Sequence, residues 1–159
     1  MIKKKALTKK KIRAIQNSWA DGILAIGQAH RKKEDYKSIA TEFIHKHYGY
    51  KEGIVLFKPT LASVEQFRET FEKALSYFVS GNPDYPEDQG FAIWHWVKIK
   101  FENAGIVVIK KHAVAMGNYF FTDYEGNEVK VEYTFGYFVN QDGDIKINLH
   151  HSSIPYSKT

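Results

Sequence analysis

The hydrophobic period of this chain changes once, near Phe91, and that change limits its architecture more than any other feature. Before it, apolar residues recur at helical spacing. Ile12, Ile15, Trp19, Ile23 and Ile26 lie 3, 4, 4 and 3 positions apart and share one helical face. Asp35 is placed to cap a second helix whose face is Tyr36, Ile39, Ala40, Phe43, Ile44 and Tyr48, with Gly49 as its stop. A short apolar strand, Ile54–Phe57, ends at Pro59. The capping-box pattern from Ser63 to Gln66 predicts a third helix with Val64, Phe67, Phe71, Leu75 and Phe78 inward, closed by Gly81. Residues 82–90 have the Pro, Asp and Gly content of a loop.

From Phe91 onward the pattern alternates. Strands are predicted at Phe91–Phe101, Ile106–Lys110, Ala113–Thr122, Glu128–Val139 and Ile145–Ser153, with Asn103-Ala104-Gly105 as a turn. The links are short, so consecutive strands must pair antiparallel. Helices followed by a meander make an α+β domain. A long sheet curved around helices encloses a pocket. That arrangement resembles the cone of the nuclear-transport-factor-2-like (SnoaL-like) fold. One domain is expected over residues 14–157, after a basic, frayed segment over residues 1–13.

Strand alternation assigns faces. Ile145, Ile147, Leu149, His151 and Ser153 share one side of the last strand, and its apolar start predicts that this side is inner. His150 and Ser152 are then outer. Val129, Val131, Tyr133, Phe135 and Tyr137 form a second inner row, and Phe91, Ile93, His95, Val97, Ile99 and Phe101 a third. The same parity sends Trp94, Trp96, Tyr119 and Phe121 outward, where so many aromatics suggest a homodimer interface on the outer face of the sheet. On alternation alone, His151 and Ser153 read better as a satisfied structural pair at a strand end than as a site.

Composition removes several chemistries. The chain has no cysteine, which excludes disulfides, thiolate zinc sites and a cysteine nucleophile. Lys3, Lys4, Lys5, Lys9, Lys10, Lys11 and Arg13 concentrate positive charge at the start, while the remainder carries a small acid excess. A nucleic-acid-binding domain needs a basic face on its folded body, so no nucleic-acid partner is expected. The apolar stretches are too short to span a bilayer, and the start lacks the apolar run of a signal peptide, so no membrane association and a cytoplasmic location are expected. His45 and His47 stand two apart on a helix and read as a solvated helix end; His150 and His151 are adjacent on a strand and point apart. No metal site is visible, and no cofactor is expected.

Three stretches carry a family resemblance. They are Val55-Leu56-Phe57-Lys58-Pro59-Thr60; Met116-Gly117-Asn118-Tyr119-Phe120-Phe121-Thr122-Asp123 continuing to Val131-Glu132-Tyr133-Thr134-Phe135-Gly136-Tyr137; and His150-His151-Ser152-Ser153-Ile154-Pro155-Tyr156. Together they resemble the iota-class carbonic anhydrases, from about Trp19 to Tyr156. The resemblance implies the same cone-like fold, reversible hydration of carbon dioxide to bicarbonate, and no required metal. By motif, the family's bicarbonate-contacting threonine falls on Thr60, its tyrosine on Tyr77, and its histidine and serine on His151 and Ser153.

The expected mechanism follows from that set. Thr60, Tyr77 and Ser153 would hold water and the developing bicarbonate oxygens through fixed dipoles. His151 would act as general base or proton relay. The alternative is a non-catalytic ligand-binding or oligomerisation module on the same fold, similar to the association domain of calcium/calmodulin-dependent kinase. Fold alone does not separate the two, because function lies in the site.

Overall fold

The computed structural model describes residues 6–158. The Lys3, Lys4 and Lys5 part of the expected frayed segment lies outside the described residues. Lys9–Arg13 are not frayed: they form the first turns of α1 (Lys9–Arg31), capped by the Thr8 hydroxyl. Leu7, just before the cap, is buried in the core. α2 (Tyr36–His47) is capped by Asp35 as expected. β1 (Leu56–Lys58) follows, then α3 (Phe71–Val79), a single 3₁₀ turn at Phe91–Ile93, and β2 (Trp96–Ile109), β3 (His112–Asp123), β4 (Glu128–Val139) and β5 (Ile145–Ser153).

The sheet has five strands in the order β1-β5-β4-β3-β2. β2 to β5 form the expected antiparallel meander. β1 adds to its edge in parallel, against β5, which its distance along the chain allows. α1 lies on the concave side and buries Ile12, Trp19, Ile23 and Ile26 against inward residues of the meander. Val131, Tyr133, Phe135 and Tyr137 all point into this core as predicted; Val129, at the open end, is 39% exposed.

Four expectations are corrected. The third helix starts at Phe71 with Thr70 as its cap, not at Ser63. The capping box fails because the carboxylate that caps this region comes from elsewhere: Glu87 accepts from the amides of Ser63, Val64 and Glu65. Those bonds hold the segment as a loop and leave Val64 and Phe67 exposed. The same amides hold the Glu87 carboxyl at about 2, well below the usual carboxylate range. Second, Asn103-Ala104-Gly105 is not a turn. β2 runs straight through it with a bulge between Asn103 and Gly105, facing Gly117. A side chain at 117 would meet the Glu102 carbonyl at 2.1 Å, so glycine is what lets the bulged backbone approach.

The third correction concerns the start of β2. Phe91–Ile93 is helical, and a bulge between Trp96 and Lys98 resets the alternation. Trp96 therefore points inward, while His95 and Val97 are exposed. Tyr119 and Phe121 on β3 are likewise buried, and of the expected outer aromatics only Trp94 is exposed. The fourth concerns His47, which is buried rather than solvated. Its ring joins the helices by bonding the Ser18 hydroxyl at 2.9 Å and the Phe43 carbonyl at 2.8 Å.

The loop over residues 82–90 is anchored by a buried ion pair. Arg68 has a fully buried side chain and donates to both oxygens of Asp88 at 2.7 Å, and to the carbonyls of Glu65 and Lys73. Ser76 adds a third hydrogen bond to Asp88. Removing one partner of such a pair strands the other charge. Asp88→Ala is expected to cost about 3–5 kcal/mol, measurable by urea denaturation. A loss below about 1 kcal/mol would show that water reaches Arg68. Burial pushes His47 down to about 4, outweighing the Phe43 carbonyl, which acts the other way. A depressed folded-state value means the unfolded chain binds the proton more readily. The stability this His contributes is present above its unfolded value of about 6.5 and is lost as pH falls toward 4. Stability should therefore decline over that window, with a shallower decline in His47→Gln.

Candidate active site

The site lies where β1, α3 and β5 meet the concave end of the meander. β5 supplies its centre. Gly136 of β4 pairs with Leu149, but Tyr137 pairs with Ile147, so Asn148 is an extra residue. The inward sequence along β5 is therefore Ile147, His150 and Ser152. His150 and Ser152 are each 2% exposed, whereas His151 is exposed and Ser153 half-buried on the other side. This corrects the inward placement of His151 and Ser153. The signal was present in Gly136: a side chain there would meet the Leu149 side chain at 2.8 Å and Asn148 at 2.9 Å. A lone glycine inside an alternating strand marks a bulge.

The His150 imidazole is held between two rings, stacked on Phe135 at 4.0 Å and on Phe57 at 4.7 Å. Trp19 meets it edge-on. Both ring nitrogens are bonded: Nδ1 lies 2.9 Å from the Tyr48 hydroxyl and Nε2 lies 3.2 Å from the Tyr119 hydroxyl. Trp19 Nε1 donates to the same Tyr48 oxygen at 3.0 Å. Burial, with a smaller contribution from neighbouring His151, holds His150 well below the ordinary histidine range. It is neutral at neutral pH.

Ser152 is the junction. Its Oγ is hydrogen-bonded to the Tyr119 hydroxyl and accepts from Thr60 Oγ1 at 2.7 Å. Thr60 follows Pro59 at the end of β1, which pairs directly with β5. Tyr77, on α3, is 5% exposed and its oxygen accepts from the Leu61 amide at 3.4 Å. Burial pushes the Tyr77, Tyr119 and Tyr48 phenols upward, so all stay protonated. The structure thus places Thr60 and Tyr77, two of the four expected site residues, in one recess with His150 and Ser152. Tyr48 and Tyr119 were absent from the predicted set. Their signal was the aromatic content itself, since a buried phenol must find a partner.

Two compartments meet here. An inner recess of about 10 Å³, lined by Thr60, Tyr77, Tyr119, His150 and Ser152 among others, has room for about one water molecule. Outside it lies a cavity of about 430 Å³ with a mostly aromatic and aliphatic wall that includes Phe91, Trp94, Trp96, Phe121 and Val131. Thr60, Tyr77 and Phe91 line both and form the threshold. Among the described residues, no group of three His, Asp or Glu side chains is arranged to hold a metal ion. Nor is any helix there long and apolar enough to cross a membrane.

Comparison with known proteins agrees with this geometry. The family described as metal-independent carbonic anhydrase matches residues 10–154. A protein of Nostoc sp. (strain PCC 7120 / SAG 25.82 / UTEX 2576) named metal-independent carbonic anhydrase is 38% identical over 160 residues, covering 99% of this chain and 78% of its own. A crystal structure of a cyanobacterial iota-carbonic anhydrase complexed with bicarbonate superposes with a TM-score of 0.95 at 36% identity, covering 99% of this chain and 98% of the other. A nuclear-transport-factor-2-like protein from Pseudomonas putida shares the fold alone, with a TM-score of 0.57 at 13% identity over 94% of this chain and 87% of its own. The fold is the expected nuclear-transport-factor-2-like α+β cone, and the chain belongs to the metal-independent, iota-class carbonic anhydrase family.

Proposed function

We infer that this chain hydrates carbon dioxide reversibly to bicarbonate, without a metal, at the threshold between the two compartments. The observation that carries this reading is a recess of one-water size, with four hydroxyls and an imidazole in its wall, that shares Thr60, Tyr77 and Phe91 with a mostly apolar cavity. Carbon dioxide is apolar and partitions into a wall such as Phe91, Phe121 and Val131. Water is polar and is held by hydroxyls. The threshold is where the two meet in attack geometry, which removes much of the entropic barrier to a bimolecular step.

In this reading Thr60, Tyr77 and Ser152 contact the reacting atoms, and His150 lines the recess with its ring nitrogens held by Tyr48 and Tyr119. The water oxygen attacks carbon, a C–O bond forms, and one C=O bond opens. Negative charge develops on the carbon dioxide oxygens and is met by hydroxyl donors that need no reorganisation. The water proton leaves through the cavity to solvent or buffer. We assign the histidine and serine roles to His150 and Ser152 because they line the recess, whereas His151 and Ser153 stand on the far side of the strand. The exposed His151 is out of reach of the water it was expected to deprotonate.

Stopped-flow hydration with chelator-treated protein tests this. Ser152→Ala, which removes a donor to developing charge, and His150→Ala, which removes the group that orders that donor's hydrogen bonds, should each lower kcat by about 10²-fold or more. His151→Ala should remain within about twofold of the parent. The reverse ranking, or activity that returns only with zinc, would sink the assignment.

We also propose that the chain forms a homodimer through the outer face of the sheet. What supports this is an apolar row rather than the aromatics first expected there. Leu56, Leu149, Gly136, Val114 and Val107 are in register across all five strands. Leu56 is 65% exposed, Val107 53% and Val114 48%, with Met116 beside them at 58%. A row that crosses the sheet can meet itself about a two-fold axis. Sedimentation at micromolar concentration should show a dimer, and Met116→Glu should yield a monomer. A monomeric parent protein counts against the interface.

A further inference from the structure

Trp19 belongs to the aromatic lining of the recess and Tyr48 lies behind it, and the two are bonded in series to His150. An indole N–H has no lone pair to offer, so Trp19 can only donate. Tyr48 therefore accepts from Trp19 at 3.0 Å. Its own proton has one hydrogen-bonding partner left, His150 Nδ1 at 2.9 Å. Tyr48 is 1% exposed, and a buried hydroxyl that failed to donate there would be left unsatisfied. Nδ1 is thereby an acceptor, which leaves the single proton of a neutral imidazole on Nε2. Nε2 donates to Tyr119, and Tyr119 passes its own proton to Ser152.

Ser152 then receives two donors, Tyr119 and Thr60. Its own hydroxyl proton is the output of the chain. The protein acceptor within reach, the Glu132 carbonyl at 3.4 Å, lies at the limit of a hydrogen bond. We propose that Trp19 sets the direction of a one-way hydrogen-bond relay, Trp19 to Tyr48 to His150 to Tyr119 to Ser152, whose end is a Ser152 hydroxyl held as a donor toward the substrate oxygen. Trp19 and Tyr48 are positioning residues for the hydration reaction. His150 is a fixed donor in the resting site and not its general base. Each bond in such a series polarises the next, so the last hydroxyl is a stronger donor than an isolated serine.

Burial of His150 acts in the same sense, because it disfavours the doubly protonated ring that would break the series. The relay also starts inside the protein at an indole, and so offers the water proton no exit by that route.

The proposal rests on the carbonic anhydrase reading for its consequence but not for its geometry, and two readouts separate them. Long-range ¹H–¹⁵N correlation NMR of ¹⁵N-histidine-labelled protein reads the tautomer directly. His150 should show protonated Nε2 and bare Nδ1 at pH 7. In Tyr48→Phe, which keeps the packing and removes the donor, the Nδ1-protonated form should become populated. The same variant should lose about tenfold in kcat with KM within about twofold, as expected when an interaction acts mainly in the transition state. Trp19→Phe should give a smaller shift in the same direction. An Nδ1-protonated or imidazolium His150 in the parent protein overturns the relay. So does an unchanged tautomer in Tyr48→Phe. A parent protein with the assigned tautomer but no hydration activity would leave the relay standing and reject the reaction.

Discussion

One extra residue in β5 decides which of its side chains face the recess. Strand alternation has a period of two, so a single inserted residue transfers everything beyond it to the opposite face. The insertion at Asn148 keeps Ile147 in the core and then turns His150 and Ser152 inward in place of Leu149 and His151. A regular strand would seat Leu149 in that position and send the imidazole to solvent. The bulge is tolerated because Gly136 lies opposite, where a Cβ would collide with Leu149 and Asn148. β1 then pairs with the shifted part of β5, which carries Thr60 to Ser152. The site depends on a packing allowance made in a neighbouring strand.

Much of this was legible from residues alone, and several of the failures share one cause. Helical spacing identified the α1 face, and Asp35 marked the start of α2. The bounds predicted for β4 and β5 match the observed strands. Parity was misread where a bulge intervened at Val97 and at Asn148, and the bulge at Ala104 was read as a turn. Each bulge changes the phase of a periodic signal without changing its period. Gly105, Gly117 and Gly136 were visible indications, but a glycine shows that backbone approaches closely, not which strand carries the extra residue. The false capping box failed for a different reason. Ser63 to Gln66 has the right local chemistry, and Glu87, remote in sequence, supplied a better acceptor to the same amides.

The site also shows how polarity can be arranged without a charge. Carbonic anhydrases that use zinc lower the pKa of a bound water through the metal. Here the buried titratable groups nearest the recess are a neutral imidazole and protonated phenols, all held so by burial. Such a site has little capacity to accept a proton. Its strength lies in donors aimed in advance, which suits the stabilisation of charge forming on carbon dioxide oxygens. Asp88 belongs to the cavity wall, but Arg68 takes both of its oxygens, so the pair holds the 82–90 loop with the Asp88 charge already paired.

Trp19 joins the stability of this fold to its chemistry. Its ring packs against Phe43, Phe101, Tyr119, Phe121 and Phe135, which draws α1, α2 and the meander into one aromatic core. Its one polar atom points at Tyr48. A phenylalanine could supply most of the packing, and a tyrosine or histidine could reverse its hydrogen bond. An indole combines a large apolar surface with a group that can only donate. Placed at the start of a series of groups that can each donate or accept, it removes the ambiguity from all of them. Direction then propagates through Tyr48, His150 and Tyr119 to a serine that would otherwise be free to rotate.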